Sequence, residues 1–98
     1  MRNGLKKMIV KDTWYVYILR MADNSLYTGA TNNLKQRIKK HGAGKGSKYV
    51  RSRLPIKEIY MGEAMTKSEA LKKEYAIKQM KKGDKINALF QDCISSSQ

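Results

Sequence analysis

Two short runs of aromatic and β-branched residues, Trp14 to Leu19 and Leu26 to Ala30, flank Ala22-Asp23-Asn24-Ser25. The runs have the composition of strands and the spacer has the chemistry of a turn, so the segment predicts a β-hairpin. If Arg20 pairs with Leu26, then Leu19 faces Tyr27 and Tyr17 faces Gly29. Tyr17 and Tyr27 become diagonal neighbours on one face, about 7–8 Å apart, with open space beside Tyr17 where Gly29 has no side chain. A slip of one residue would send the two phenols to opposite faces, so the hairpin constrains the molecule through its register.

Beyond the hairpin, Thr31-Asn32-Asn33 offers N-cap oxygens to a short helix over Leu34 to His41. Leu34, Arg37, Ile38 and His41 share one helical stripe. Leu34 and Ile38 anchor it, and Arg37 and His41 are expected at the edge of the buried face. Gly42 to Ser47 reads as a flexible basic loop. It is no phosphate-binding P-loop, because Gly46-Ser47-Lys48 lacks the required order and no strand-to-helix context surrounds it. Tyr49 stands among basic residues between Lys48 and Arg53, Pro55 breaks the chain, and Ile56 to Met61 has the composition of a third strand. Thr66 or Ser68 caps a long helix expected to run to about Lys82 and to end at Gly83. Asp84 to Phe90 predicts a last short helix. The expected organisation is a basic leader over 1–11, one domain over 12–91 and a flexible tail over 92–98.

Charge narrows the function. The formal net charge is +13, and no acid occurs from Asn24 to Lys57. That stretch carries Lys35, Arg37, Lys39, Lys40, Lys45, Lys48, Arg51, Arg53 and Lys57. A surface that is merely solvated mixes its signs, whereas one-sign clustering suits a polyanion. Lys35, Lys39, Lys40, Lys45, Lys48, Arg51 and Arg53 are therefore the expected nucleic-acid contacts, with Tyr49 placed to stack on an exposed base. The lone Cys93 cannot form an internal disulfide or a cysteine metal site. The apolar run Met8-Ile9-Val10 is too short for a signal peptide, and nothing approaches a membrane span. A cytoplasmic, monomeric protein is expected.

Five side chains carry chemistry. Glu74 falls on an apolar arc with Ala70, Leu71 and Ile77. A carboxylate there is costly unless paired or metal-bound. It can pair with Lys78 one turn on, or hold Mg²⁺, which keeps much of its hydration shell and accepts substrate phosphate as a ligand. Arg37 is either one more solvated cation or a fork for phosphate oxygens. His41, the only histidine, is either structural or a donor and proton relay near neutral pH. Tyr17 and Tyr27 are core aromatics or working phenols. With an ordinary pKa of about 10, a phenol acts as a base only with help from a neighbouring cation. Together these groups suit a small metal-dependent phosphodiesterase.

Their order resembles that of the GIY-YIG nuclease family, most closely its small single-domain bacterial members, from about Trp14 to Leu89. Tyr15-Val16-Tyr17 and Tyr27-Thr28-Gly29 stand for the two name-giving motifs, matched strictly at Tyr17, Tyr27 and Gly29. Gly44 to Lys57, with Lys48-Tyr49 and Leu54-Pro55, also looks like that branch. The resemblance implies an α/β (α+β) fold, a small three-stranded antiparallel sheet flanked by helices. It implies one divalent metal, Mg²⁺ or Mn²⁺, held by Glu74. Tyr27 would activate the water or accept its proton, Tyr17 would support it, Arg37 would stabilise the phosphorane charge, and His41 would lie near the nucleophile or phosphate. Many members use an asparagine after the glutamate helix; Asn87 is the nearby candidate and is left unassigned. Larger members carry extra DNA-binding domains, so here a protein partner is expected to supply specificity. The expected function is a metal-dependent endonuclease on DNA rather than RNA, with branched, damaged or single-stranded substrates. The alternatives are a non-catalytic nucleic-acid-binding module with the same fold, and a basic accessory domain that docks onto a nucleoprotein.

Overall fold

The computed structural model describes residues 13–91. The expected leader and tail, with Cys93, lie outside the described residues. The elements run β1 (Tyr15–Met21), β2 (Leu26–Thr31), α1 (Leu34–Gly42), α2 (Lys48–Arg51), β3 (Ile56–Met61), α3 (Lys67–Lys78) and α4 (Lys82–Phe90). The three strands form one antiparallel sheet in the order β2-β1-β3. The hairpin takes the expected register, with Arg20 opposite Leu26, Leu19 opposite Tyr27 and Tyr17 opposite Gly29.

Central position explains the composition of β1. Val16, Ile18 and their face pack on Ala70, Ile77 and Leu89, from α3 and α4. Tyr17, Leu19 and Met21 point the other way, onto Val50 of α2 and onto Leu34 and Ile38 of α1. The strand is therefore covered on both faces and reads as a nearly continuous apolar run. Each such side chain contributes about 1.5–3 kcal/mol by burial. The sheet is thus the middle of three layers, and the two tyrosines look toward α1.

Three ties hold α3 in place. Trp14 and Met65 exchange backbone hydrogen bonds of 2.8 and 2.9 Å just ahead of the helix. Thr66 caps it, and Glu69 returns the bond in a capping box. Lys73 donates its Nζ–H to the Leu89 carbonyl at 2.8 Å, joining α3 to α4.

The long helix expected as far as Lys82 ends at Lys78. Gly83 does not terminate it but lies in the first turn of α4. Ile77 is the last buried residue of α3, and the next apolar groups packed on that core are Ile86 and Leu89. A straight helix would carry them away from the sheet, so burial overrides the helical propensity of the lysine-rich segment. The basic stretch after Ser47 is helical. Ser47 accepts a hydrogen bond from the Tyr49 N–H and starts the one-turn α2, which drives Val50 into the core.

Candidate active site

Tyr17 and Tyr27 meet because the register puts them diagonally on one face, with ring centroids 6.3 Å apart. Gly29 makes this possible, since a Cβ there would overlap the Tyr17 phenol. Asn33 caps α1 by accepting from the Gln36 N–H, and the helix then carries Arg37 and His41 across the same face. His41 does not lie at the edge as expected. It is only 1% exposed, and its ring sits 6.1 Å from Tyr17 and 5.3 Å from Tyr27. The expected stripe was correct in direction but took no account of the α1–α2 loop, which folds back over the ring.

Tyr17 Oη and His41 Nε2 are 3.0 Å apart and hydrogen-bonded. Nδ1 of the imidazole is buried with no partner among the described residues. Leaving Nδ1 unpaired in the interior costs about 1–3 kcal/mol. Burial, and then the Arg37 charge, hold the imidazole below its ordinary pKa. Burial, followed by the neighbouring Tyr27, pushes the Tyr17 phenol far above its ordinary value. Arg37 partly offsets that rise, and the charge of Glu74 adds to it. Both residues are therefore neutral near pH 7.

The Tyr17 phenol thus feels Tyr27 from β2, Arg37 from α1 and Glu74 from α3, and binds His41 directly. Of the five side chains singled out in the sequence, Tyr17, Tyr27 and His41 meet ring to ring, and the charges of Arg37 and Glu74 reach the Tyr17 phenol. Glu74 sits at the margin of the apolar arc rather than in its middle. Ala70 and Ile77 are buried, but Leu71 is 44% exposed. The pair with Lys78 forms, Nζ to Oε2 at 3.1 Å, with side chains 19% exposed for Glu74 and 47% for Lys78. An ion pair so open to water is worth no more than about 1 kcal/mol. Among the described residues no three His, Cys, Asp or Glu side chains gather. A metal here would lean on one carboxylate, water and substrate phosphate. That donor set fits Mg²⁺ or Mn²⁺ and does not fit zinc.

Lys35, Lys39, Lys40, Lys45, Lys48 and Arg51 are all exposed, from α1 through α2. Tyr49 links this surface to the phenols, its ring 6.1 Å from that of Tyr27. Arg53 is less free than the sequence suggests. Its guanidinium lies 4.0 Å over the Tyr49 ring and its Nε is 3.5 Å from Asp23 in the hairpin turn. Asn87 is exposed on α4. Sequence reasoning overlooked Gly46, which packs against His41. Only the presence of a glycine in a basic loop hinted at it. No described helix is long and apolar enough to cross a membrane.

Residues 13–87 match the family model described as the GIY-YIG catalytic domain. The chain belongs to the GIY-YIG family. Membership places it in the GIY-YIG nuclease superfamily. Among its GIY-YIG relatives, the UPF0213 protein of Oceanobacillus iheyensis is 49% identical over 79 residues, covering 80% of this chain and 92% of that protein. A UPF0213 protein of Clostridium perfringens is 48% identical over 75 residues, covering 76% of this chain and 81% of that one. The solution NMR structure of a UPF0213 protein from Bacillus halodurans is 41% identical, with a TM-score of 0.43, covering 74% of this chain and 78% of the other. The GIY-YIG chain described here thus has its relatives among small bacterial proteins.

Proposed function

We propose that this chain is a divalent-metal-dependent endonuclease that hydrolyses phosphodiester bonds in DNA. The observation that carries this reading is the Tyr27 ring against the buried Tyr17–His41 pair, with the charges of Arg37 and Glu74, from two further elements, reaching that pair. Glu74 would hold Mg²⁺ or Mn²⁺, which when bound supplies positive charge to phosphate oxygens and makes water more acidic. Arg37, half-buried and confined by its helix, grips the phosphate and stabilises the charge that develops on it. Tyr27, half-buried rather than sealed, would orient the attacking water and, as a phenolate supported by the neighbouring cation, take its proton. Tyr17 and His41 are cut off from solvent and act as positioning residues. Burial pushes the Tyr17 phenol up, so it keeps its own proton.

The phenols can be told apart by substitution. Tyr27→Phe is expected to lower turnover about 100-fold or more at neutral pH. Tyr17→Phe removes the partner of a buried imidazole, so it should also destabilise the fold, by about 1–3 kcal/mol. Steady-state cleavage with urea unfolding separates the two effects. Normal cleavage by Tyr27→Phe would make that residue a core aromatic.

The exposed cations from Lys35 to Arg51 supply backbone contacts, with Tyr49 as a stacking surface beside Tyr27. Few side chains there are suited to reading base edges, so affinity should depend steeply on salt and little on sequence. If about five of those cations touch duplex phosphates, log K falls against log salt with a slope of about −4 to −5. Charge reversal at Lys45, Lys48 and Arg51, all exposed, should cut affinity without unfolding the domain. An affinity that ignores salt or these reversals would place the polyanion elsewhere. Branched, damaged or single-stranded DNA is the substrate class we favour, with the protein acting as a monomer and a partner supplying specificity.

One observation favours the second reading, a nucleic-acid-binding module without turnover. Lys78 already satisfies the Glu74 carboxylate at 3.1 Å. The pair's exposure makes it easy to displace, so the enzymatic reading is preferred.

A further inference from the structure

The end of α1 and the segment that joins it to α2 carry three glycines, and their surroundings differ. A Cβ on Gly42 would meet nothing within 4 Å. Gly44 has φ +78°, a left-handed backbone that side chains resist. Gly46 has no positive φ, so its backbone would accept any residue. Yet a Cβ there would overlap His41 Nδ1 and lie 2.8 Å from Cε1, a distance real Cβ atoms do not reach. Room for the imidazole is thus the reason the structure gives for a glycine at this position.

We propose that Gly46 is a positioning residue for His41, letting the α1–α2 loop close on the imidazole so that its only hydrogen bond among the described residues is to Tyr17. The ring is then held on three sides. Nε2 meets Tyr17 at 3.0 Å, Tyr27 stands against the ring at 5.3 Å, and Gly46 covers Nδ1. The same loop carries Lys45 ahead of Gly46 and leads directly into Lys48, both exposed. Phosphate contact and imidazole orientation therefore share one stretch of backbone. A loop that shifts to fit a side chain at position 46 releases the ring, and Tyr17 loses its fixed partner. The catalytic consequence rests on the nuclease reading of the site; the contact itself does not.

The test uses Gly46→Ala in the full chain, with Gly42→Ala as the control. Nitrogen-15 NMR of the single histidine should show one neutral tautomer in the parent and in Gly42→Ala. In Gly46→Ala it should show tautomer exchange. Urea unfolding of Gly46→Ala, His41→Ala and the double variant completes a cycle. Gly46→Ala should destabilise the parent and have little effect once the imidazole is gone. Should the single variant fail to fold, folding of the double variant supports the contact, and failure of both overturns it. An unchanged histidine spectrum, or additive losses of stability, also overturns it. If cleavage is measurable, turnover should fall about 10-fold or more in Gly46→Ala. Affinity for a short DNA should change less than about twofold. Should the chain cleave nothing, the spectrum and the cycle still decide the matter.

Discussion

Replacing Glu74 with glutamine is expected to reduce metal-dependent cleavage by at least about 100-fold while the domain stays folded. The amide matches the carboxylate in shape but carries no charge for a divalent cation, and the other four site residues offer nothing to replace it. Stability should change little. The ion pair it breaks is exposed at Lys78, and pairs of that kind contribute about 0–1 kcal/mol. Nucleic-acid affinity should survive as well, because it rests on cations of α1 and α2. Circular dichroism, salt-dependent binding and cleavage on one preparation separate the possibilities. A folded variant that cuts as fast as the parent removes Glu74 from the metal's coordination. A variant that unfolds makes the Lys78 pair structural.

Arg37→Ala should lower turnover by about 100- to 1000-fold and affinity by no more than about threefold. The asymmetry follows from placement. Lys35, Lys39 and Lys40 on the same helix are exposed and in the proposed reading would grip backbone phosphates in the ground state, whereas Arg37 is half-buried, close to the Tyr17 phenol. A guanidinium held there acts on charge that appears as the phosphate is attacked. Lysine at this position should recover little, since a point charge cannot bind two phosphate oxygens in a plane. Equal losses in binding and turnover would reduce Arg37 to one phosphate contact among many.

The hairpin was readable because two local signals agree on it: turn residues at 22–25 and strand residues on either side with an assignable register. Once the register is set, the Tyr17–Tyr27 neighbourhood follows, and Gly29 explains itself. The start of α1 at the Asn33 cap and the third strand at Ile56–Met61 were also local and legible. What escaped depends on contacts distant in sequence. The early end of α3 reflects Ile86 and Leu89 returning to the sheet, against the propensity of the lysine-rich segment. The burial of His41 reflects a loop that closes only because Gly46 has no side chain. Arg53 looked like a free cation until the fold brought Asp23 to it and laid it on Tyr49. The candidate site residues could be proposed from order and spacing. Their division into an accessible pair, Tyr27 and Arg37, and a sealed pair, Tyr17 and His41, could not.

A cleavage assay bears most directly on the nuclease reading. The full chain would be incubated with a panel of duplex, single-stranded, flapped, branched and damaged DNAs and matching RNAs, with Mg²⁺, with Mn²⁺ and with a chelator. The expected result is cleavage of at least one DNA structure with either metal, lost with the chelator and lost in Glu74→Gln. Tight, salt-sensitive binding across the panel with no metal-dependent cleavage of any member would contradict it and leave a nucleic-acid-binding module on a nuclease fold.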